Sequence, residues 1–179
     1  MASPPKYHKH VRLAGNDYTK GAYFVTLCTA QRQELFGHIV GDGMDASMAL
    51  NDVGRIVDEC WRAIPDHFAH ARLGQTQIMP DHLHAIIALD PLVGQGSTQW
   101  VDATGASGND RAKPRGPFPG SLGAIIAAFK SETTKRVNRL NRITGQRLWQ
   151  SGYYERAIRQ QGGEYERIAQ YIAENPANW

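Results

Sequence analysis

Cysteine is almost missing from this chain. Cys28 and Cys60 are the only two among 179 residues, too few and too far apart for a secreted scaffold held by several bridges. Reduced thiols in a cytoplasm are the expectation, with a single bridge left open by spacing alone. Long apolar runs are missing too, since none approaches the ~20 residues that cross a bilayer. The opening stretch MASPPKYHKHVRL lacks the apolar segment of a secretion signal. No membrane partner is expected. Acidic residues are the third scarcity, and a local one. Residues 111–159 hold eleven Lys or Arg but only Glu132 and Glu155, a net of +9, against −6 for the remainder and +3 overall. Such asymmetry points to a polyanionic partner; a solvated helix surface is the plainer alternative. What is present suffices for one globular domain, with 41% apolar and 21% charged residues.

The periodicity divides the chain. Ala22–Ala30, AYFVTLCTA, is β-branched and aromatic and reads as a strand. HIVGDGMDASMALN follows as a hairpin, with Asp42 and Gly43 supplying turn chemistry. Val53, Ile56, Val57, Cys60, Trp61 and Ile64 then fall at helical spacing, with Asn51 as N-cap and Pro65 just past the end. Thr76–Leu89, TQIMPDHLHAIIAL, reads as one further strand, central because Ala85–Leu89 is apolar on both faces. Residues 91–120, rich in Gly, Pro, Ser and Asp, break every period and predict a long mobile loop. A second helix places Leu122, Ile125, Ile126 and Phe129 inward, with Lys130, Lys135, Arg136 and Arg139 outward or at its end. A short strand within RLWQSGYYERAIR and a helix opened by glycines and closed at Asn175-Pro176 complete the order. The result predicts an α+β fold with an antiparallel sheet.

Two histidines interrupt the apolar strand in MPDHLHAII. Residues i and i+2 of a strand point the same way, so His82 and His84 project together and Leu83 opposes them. Two converging imidazoles make half of a divalent-metal site, or else a hydrogen-bonded pair with no metal. In the terminal helix Tyr171 and Asn175 share a face four residues apart. A carboxamide oxygen can ligate a hard cation, and a phenol can form a covalent bond to phosphate. Tyr165, Ile168, Tyr171 and Ile172 also fit an ordinary packing face.

In combination these pieces resemble the single-tyrosine HUH transposases, and most closely the REP-associated tyrosine transposases. The matching stretches are GAYFVTLCTAQRQELFG (Gly21–Gly37), IMPDHLHAII (Ile78–Ile87), LGAIIAAFKSETTKRVN (Leu122–Asn138), LWQSGYYERAIR (Leu148–Arg159) and EYERIAQYIAENPANW (Glu164–Trp179). The resemblance implies one HUH domain over residues 1–179, with a ferredoxin-like antiparallel sheet packed with helices. It implies Mg²⁺ or Mn²⁺ held by His82, His84 and Asn175, and Tyr171 as nucleophile, with Tyr153 and Tyr154 as rivals for that role. It further implies cleavage and rejoining of single-stranded or REP-type hairpin DNA through a 5′-phosphotyrosine, in a cytoplasmic protein close to the nucleoid.

The basic stretch would then serve the strand. Lys130, Lys135, Arg136, Arg139, Arg142, Arg147 and Arg159 are candidates for phosphate contacts, and Trp149, Tyr153 and Tyr154 for base stacking. Two rival readings use the same residues. A non-catalytic single-stranded nucleic-acid-binding module would bind without metal or cleavage. A hydrolytic metallophosphoesterase would turn over without an adduct, but needs more Asp and His ligands than the spacing offers. Monomer and homodimer remain equally open.

Overall fold

The computed structural model describes residues 18–91, 117–159 and 161–179. Strand β1 (Gly21–Cys28) alternates as its sequence requires: Tyr23, Val25 and Leu27 are buried on one face, while Phe24 and Thr26 are half-buried on the other. It ends at Cys28, short of the expected Ala30. A 3₁₀ turn at Ala30–Arg32 follows, with Gln31 and Arg32 in the left-handed region at φ 59° and 58°. The expected hairpin forms from β2 (Gly37–Val40) and β3 (Ser47–Leu50), joined through Asp42 and Gly43. Helix α1 (Asp52–Arg62) starts as predicted, with Asn51 Oδ1 accepting the N–H of Gly54 at 2.9 Å. Pro65 does not follow a helix end in open chain; it sits in the first turn of a short helix α2 (Ile64–His67).

The expected single strand Thr76–Leu89 is two strands. β4 (Ala71–Met79) and β5 (His82–Leu89) form an antiparallel hairpin whose last pair, Met79 opposite His82, flanks Pro80 and Asp81. Proline has no N–H for a ladder and a φ suited to a turn, so the chain reverses there. β5 is central, as expected, in a sheet of order β4-β5-β1-β6, where β6 (Tyr154–Ile158) is the far edge. Apart from the β2–β3 hairpin and α2, the succession is βαββαβ, completed by α3 (Leu122–Leu140), whose N-cap is Ser121. That order with antiparallel neighbours is the ferredoxin-like arrangement. The expected loop falls mostly on residues 92–116, outside the described residues.

Both crossover helices cover one face of the sheet. Trp61 of α1 meets Phe129 of α3 edge-on at 5.1 Å between ring centroids, over Val25, Leu83 and Ala85. The opposite face receives α4 (Glu164–Ala173), whose Ile168 and Ile172 pack on Ile86, Ile158 and Phe24. Gly74 permits that approach: a Cβ there would lie 2.7 Å from Tyr165 Oη and 3.1 Å from Ile86 Cβ. After α4, a 3₁₀ turn (Asn175–Asn178) returns the chain toward the hairpin end of the sheet.

Lys130 departs from the outward orientation expected of it. Its Nζ donates to the carbonyls of Gln150 and Gly152 at 2.9 and 2.6 Å, tying α3 to the segment before β6. Burial pushes its pKa down to about 8. Between pH 8 and its ordinary pKa near 10.5 the unfolded chain therefore binds the extra proton, so stability rises with pH across that window. The rise is at most about 3 kcal/mol. Urea unfolding of Lys130→Met, compared with wild type at pH 7.5 and 10, should show this contribution gone.

Candidate active site

His82 and His84 occupy the first and third positions of β5, so strand alternation sends both to the α4 face and Leu83 to the core. The rings lie 4.4 Å apart between centroids, edge to face. Across the ladder, Cys28 stands opposite His82 and Thr26 opposite His84 on β1, with Met79 and Gln77 in the matching places on β4. Both imidazoles are buried, at 5% and 8% exposure, so each needs partners. Each finds one at Nδ1.

For His84 the partner is the Thr26 hydroxyl, 2.8 Å away. Burial first, then the neighbouring His82 and Arg32, push its pKa down to about 3, so it is neutral near pH 7, as a metal ligand must be. For His82 the partner is Asp81, with Oδ1 2.6 Å from Nδ1. The other carboxylate oxygen, Oδ2, takes the Nε–H of Arg32 at 2.7 Å. A carboxylate paired with a guanidinium only accepts, so Nδ1 of His82 carries the proton of this bond, and in the neutral ring the lone pair falls to Nε2. Nothing among the described residues hydrogen-bonds Nε2 of either ring.

Tyr171 lies at the margin of α4's packing face. Ile172 beside it is buried, while Tyr171 is 53% exposed, with its ring 5.7 Å from His84 and edge-on to Phe24 at 6.2 Å. Asn175, one turn later, is half-buried at the head of the 3₁₀ turn. That turn also brings Trp179 to 5.9 Å from the His82 ring, half exposed. The donor types suit a divalent ion: two imidazoles with occupied Nδ1 atoms, and a carboxamide at Asn175, one turn after Tyr171. Among the described residues no three His, Cys, Asp or Glu side chains form a metal cage. Remaining positions would fall to carboxamide, water or substrate oxygens.

The basic and aromatic candidates divide between the faces. Tyr154 is exposed opposite Thr26, its ring 6.1 Å from Phe24, and so shares the histidine face. Arg159 follows β6 with its side chain exposed; its backbone N–H donates at 2.7 Å to Glu164, which also pairs with Arg156. The Arg159 N–H, then Arg156, hold the Glu164 carboxyl below the usual range. Arg147 is exposed next to Leu148, whose carbonyl accepts the Ala30 N–H at the His82 end of the sheet. Arg142 is exposed just beyond α3 at φ 55°. Lys135 and Arg139 are exposed on α3, beyond the opposite face. Arg136 turns to Glu59 and Cys60 of α1. Tyr153 is half-buried against Lys130, 5.7 Å from its Nζ. Trp149 is a core side chain, wedged against Phe36 and Phe129 with Nε1 donating to Thr133 at 2.8 Å. It has no open face for a base.

Asp81, Arg32, Thr26 and Trp179 are the neighbours of the histidine pair that spacing did not reveal. Asp81 alone had a local signal, being adjacent to the histidine pair in MPDHLH.

No family model matches the chain. An uncharacterized protein of Haemophilus influenzae is 33% identical over 174 residues, 97% of this chain and 90% of that protein. The chain belongs to one family with it. Among solved structures, a REP-associated tyrosine transposase bound to a REP hairpin is similar over 96% of this chain and 74% of that one, with a TM-score of 0.59 at 16% identity. A Deinococcus radiodurans protein proposed to be a transposase matches 93% of this chain and 96% of its own, with a TM-score of 0.44 at 17% identity. The α+β sheet with its helices is the fold of the REP-associated tyrosine transposase, in agreement with the resemblance carried by the motifs. No helix among the described residues is long and apolar enough to cross a membrane.

Proposed function

We propose that this chain is a metal-dependent single-strand DNA endonuclease and transposase that cleaves and rejoins hairpin DNA of the REP type, in the cytoplasm beside the nucleoid. One observation carries the reading. An exposed phenol, Tyr171, shares a face with two buried imidazoles, and the nearer ring, His84, is neutral and 5.7 Å away. Core packing alone explains neither the exposure of the phenol nor the burial of the imidazoles.

Tyr171 Oη attacks a backbone phosphorus as its proton leaves to base or water. The bond from phosphorus to the 3′ oxygen breaks, and that oxygen takes a proton from water to depart as a 3′-OH. The DNA stays on the protein as a 5′-phosphotyrosine, which the 3′-OH of another strand can attack to release Tyr171 and restore a phosphodiester. His82, His84 and Asn175 would hold Mg²⁺ or Mn²⁺. When bound, the ion supplies charge against the phosphate oxygens. Tyr154 and Trp179 border the same face and offer rings to unpaired bases, while Arg147 and Arg159 offer charge to phosphates. The resemblance to the hairpin-bound transposase favours a structured single strand as substrate.

The test is direct. Incubation with labelled single-stranded hairpin DNA and Mn²⁺ should yield a protein–DNA adduct that survives denaturation. Binding without adduct would establish the non-catalytic module instead, and turnover without adduct a hydrolase.

Binding itself should be steeply salt-dependent. If five phosphates are neutralised, log K against log salt should fall with a slope of about −3.5. Arg147→Ala and Arg159→Ala should each flatten it. An affinity indifferent to salt would reduce the charge run to a solvated surface.

A further inference from the structure

The Ala30–Arg32 turn is an expensive way to leave a strand. Two consecutive residues with side chains, Gln31 and Arg32, adopt φ of 59° and 58°, a conformation that glycine takes far more readily. The turn is held against the β4–β5 hairpin by its neighbour: Thr29 N–H donates to the Asp81 carbonyl at 2.9 Å, and the Thr29 hydroxyl lies between the carbonyls of Gln33 at 2.7 Å and Asp81 at 3.0 Å. Its product is the placement of one side chain. Arg32 reaches Asp81 Oδ2 through Nε at 2.7 Å and Cys28 Sγ through a terminal nitrogen at 2.9 Å. Backbone strain that persists next to a reactive face points to a function that the strained geometry serves.

We infer that Asp81, oriented by Arg32, is the positioning residue of the metal half-site, fixing both the ring angle and the tautomer of His82. The inference rests on the metal-site reading above and names which residues make that site work. The two histidines are not equivalent in this respect. The Thr26 hydroxyl can donate to or accept from His84 Nδ1, so it leaves the tautomer free. The Asp81 carboxylate can only accept, so in the neutral ring it selects the tautomer with the proton on Nδ1 of His82 and the lone pair on Nε2. With one carboxylate oxygen on Arg32 and the other on His82, Asp81 has little freedom to rotate. His82 is thus the preset ligand and His84 the adaptable one.

Three variants of the full chain separate this from a merely structural role. Asp81→Ala should lose 10- to 100-fold in Mn²⁺ affinity by calorimetry. In the metal-free protein, imidazole ¹⁵N shifts should move His82 from the Nδ1–H tautomer toward the Nε2–H form. Arg32→Gly relieves the backbone but takes the guanidinium from the buried Asp81 carboxylate, so its melting temperature should not rise, while Mn²⁺ affinity falls severalfold. Gln31→Gly relieves the same kind of strain without touching Asp81, and should gain stability with Mn²⁺ affinity unchanged. A wild-type chain that takes up no Mn²⁺ would overturn the metal-site reading and this inference with it. Wild-type uptake matched by Asp81→Ala and Arg32→Gly would overturn the inference alone. Loss of melting temperature in Arg32→Gly with full Mn²⁺ affinity would make the turn a structural brace.

Discussion

Tyr171→Phe is expected to fold normally, to bind hairpin DNA and Mn²⁺ as wild type does, and to form no covalent adduct. The substitution removes one oxygen and keeps the ring that meets Phe24 and His84 at 6.2 and 5.7 Å. Ile168 and Ile172, which seat α4 on the sheet, are untouched. At 53% exposure the hydroxyl has water available, so its loss leaves no buried group unpaired. Stability should change by less than about 0.5 kcal/mol. The adduct should fall below detection, because no other atom of the side chain can attack phosphorus. Tyr154→Phe and Tyr153→Phe are the controls. Tyr154 lies on the same face, opposite Thr26, so slower adduct formation there is compatible with a part in holding the strand. Mass spectrometry of the wild-type adduct should place DNA on the peptide that contains Tyr171. DNA mapped to Tyr153 or Tyr154 would move the reaction from α4 to β6 and refute the assignment.

The fold was readable wherever one period ran long enough to identify itself. β1, α1, α3 and α4 each have a clean alternation or a 3.6-residue stripe with a recognisable start. The β4–β5 hairpin was not readable, for a definite reason. From Thr76 to Leu89 the one turn signal is Pro80-Asp81, which lacks the glycine that marks the commonest tight hairpins. The first half of β4, ARLGQ, carries a glycine and an irregularity in register between Leu73 and Thr76, which hides the alternation. The site divided in the same way. Side chains linked by local spacing, His82 with His84 and Tyr171 with Asn175, were visible as pairs. Contacts closed by the tertiary fold were not: Arg32, in the turn after β1, meets Asp81, in the turn between β4 and β5. Trp149 and Lys130, in a basic and aromatic segment, gave no sign that one is a core pillar and the other a tether.

The histidines provide the second large effect, and the geometry divides it between them. His82→Ala and His84→Ala are each expected to abolish cleavage while hairpin affinity stays within about tenfold, since phosphate contacts supply most of the binding. Neither change should unfold the sheet. Both rings stand on the α4 face, apart from the cluster that Leu83 and Ala85 join beneath α1 and α3. The two variants should differ in what they leave behind. Loss of the His82 ring strands Asp81, a buried carboxylate, with Arg32 as its remaining partner. Loss of the His84 ring strands only the Thr26 hydroxyl, which can bond elsewhere. His82→Ala should therefore be the less stable of the pair in urea, by about 1–3 kcal/mol, with both equally dead in cleavage. Full adduct formation by either variant in Mn²⁺ buffer would show that the strand is cut without the pair. The imidazoles would then be structural, and the active face would have to be rebuilt around Tyr171 alone.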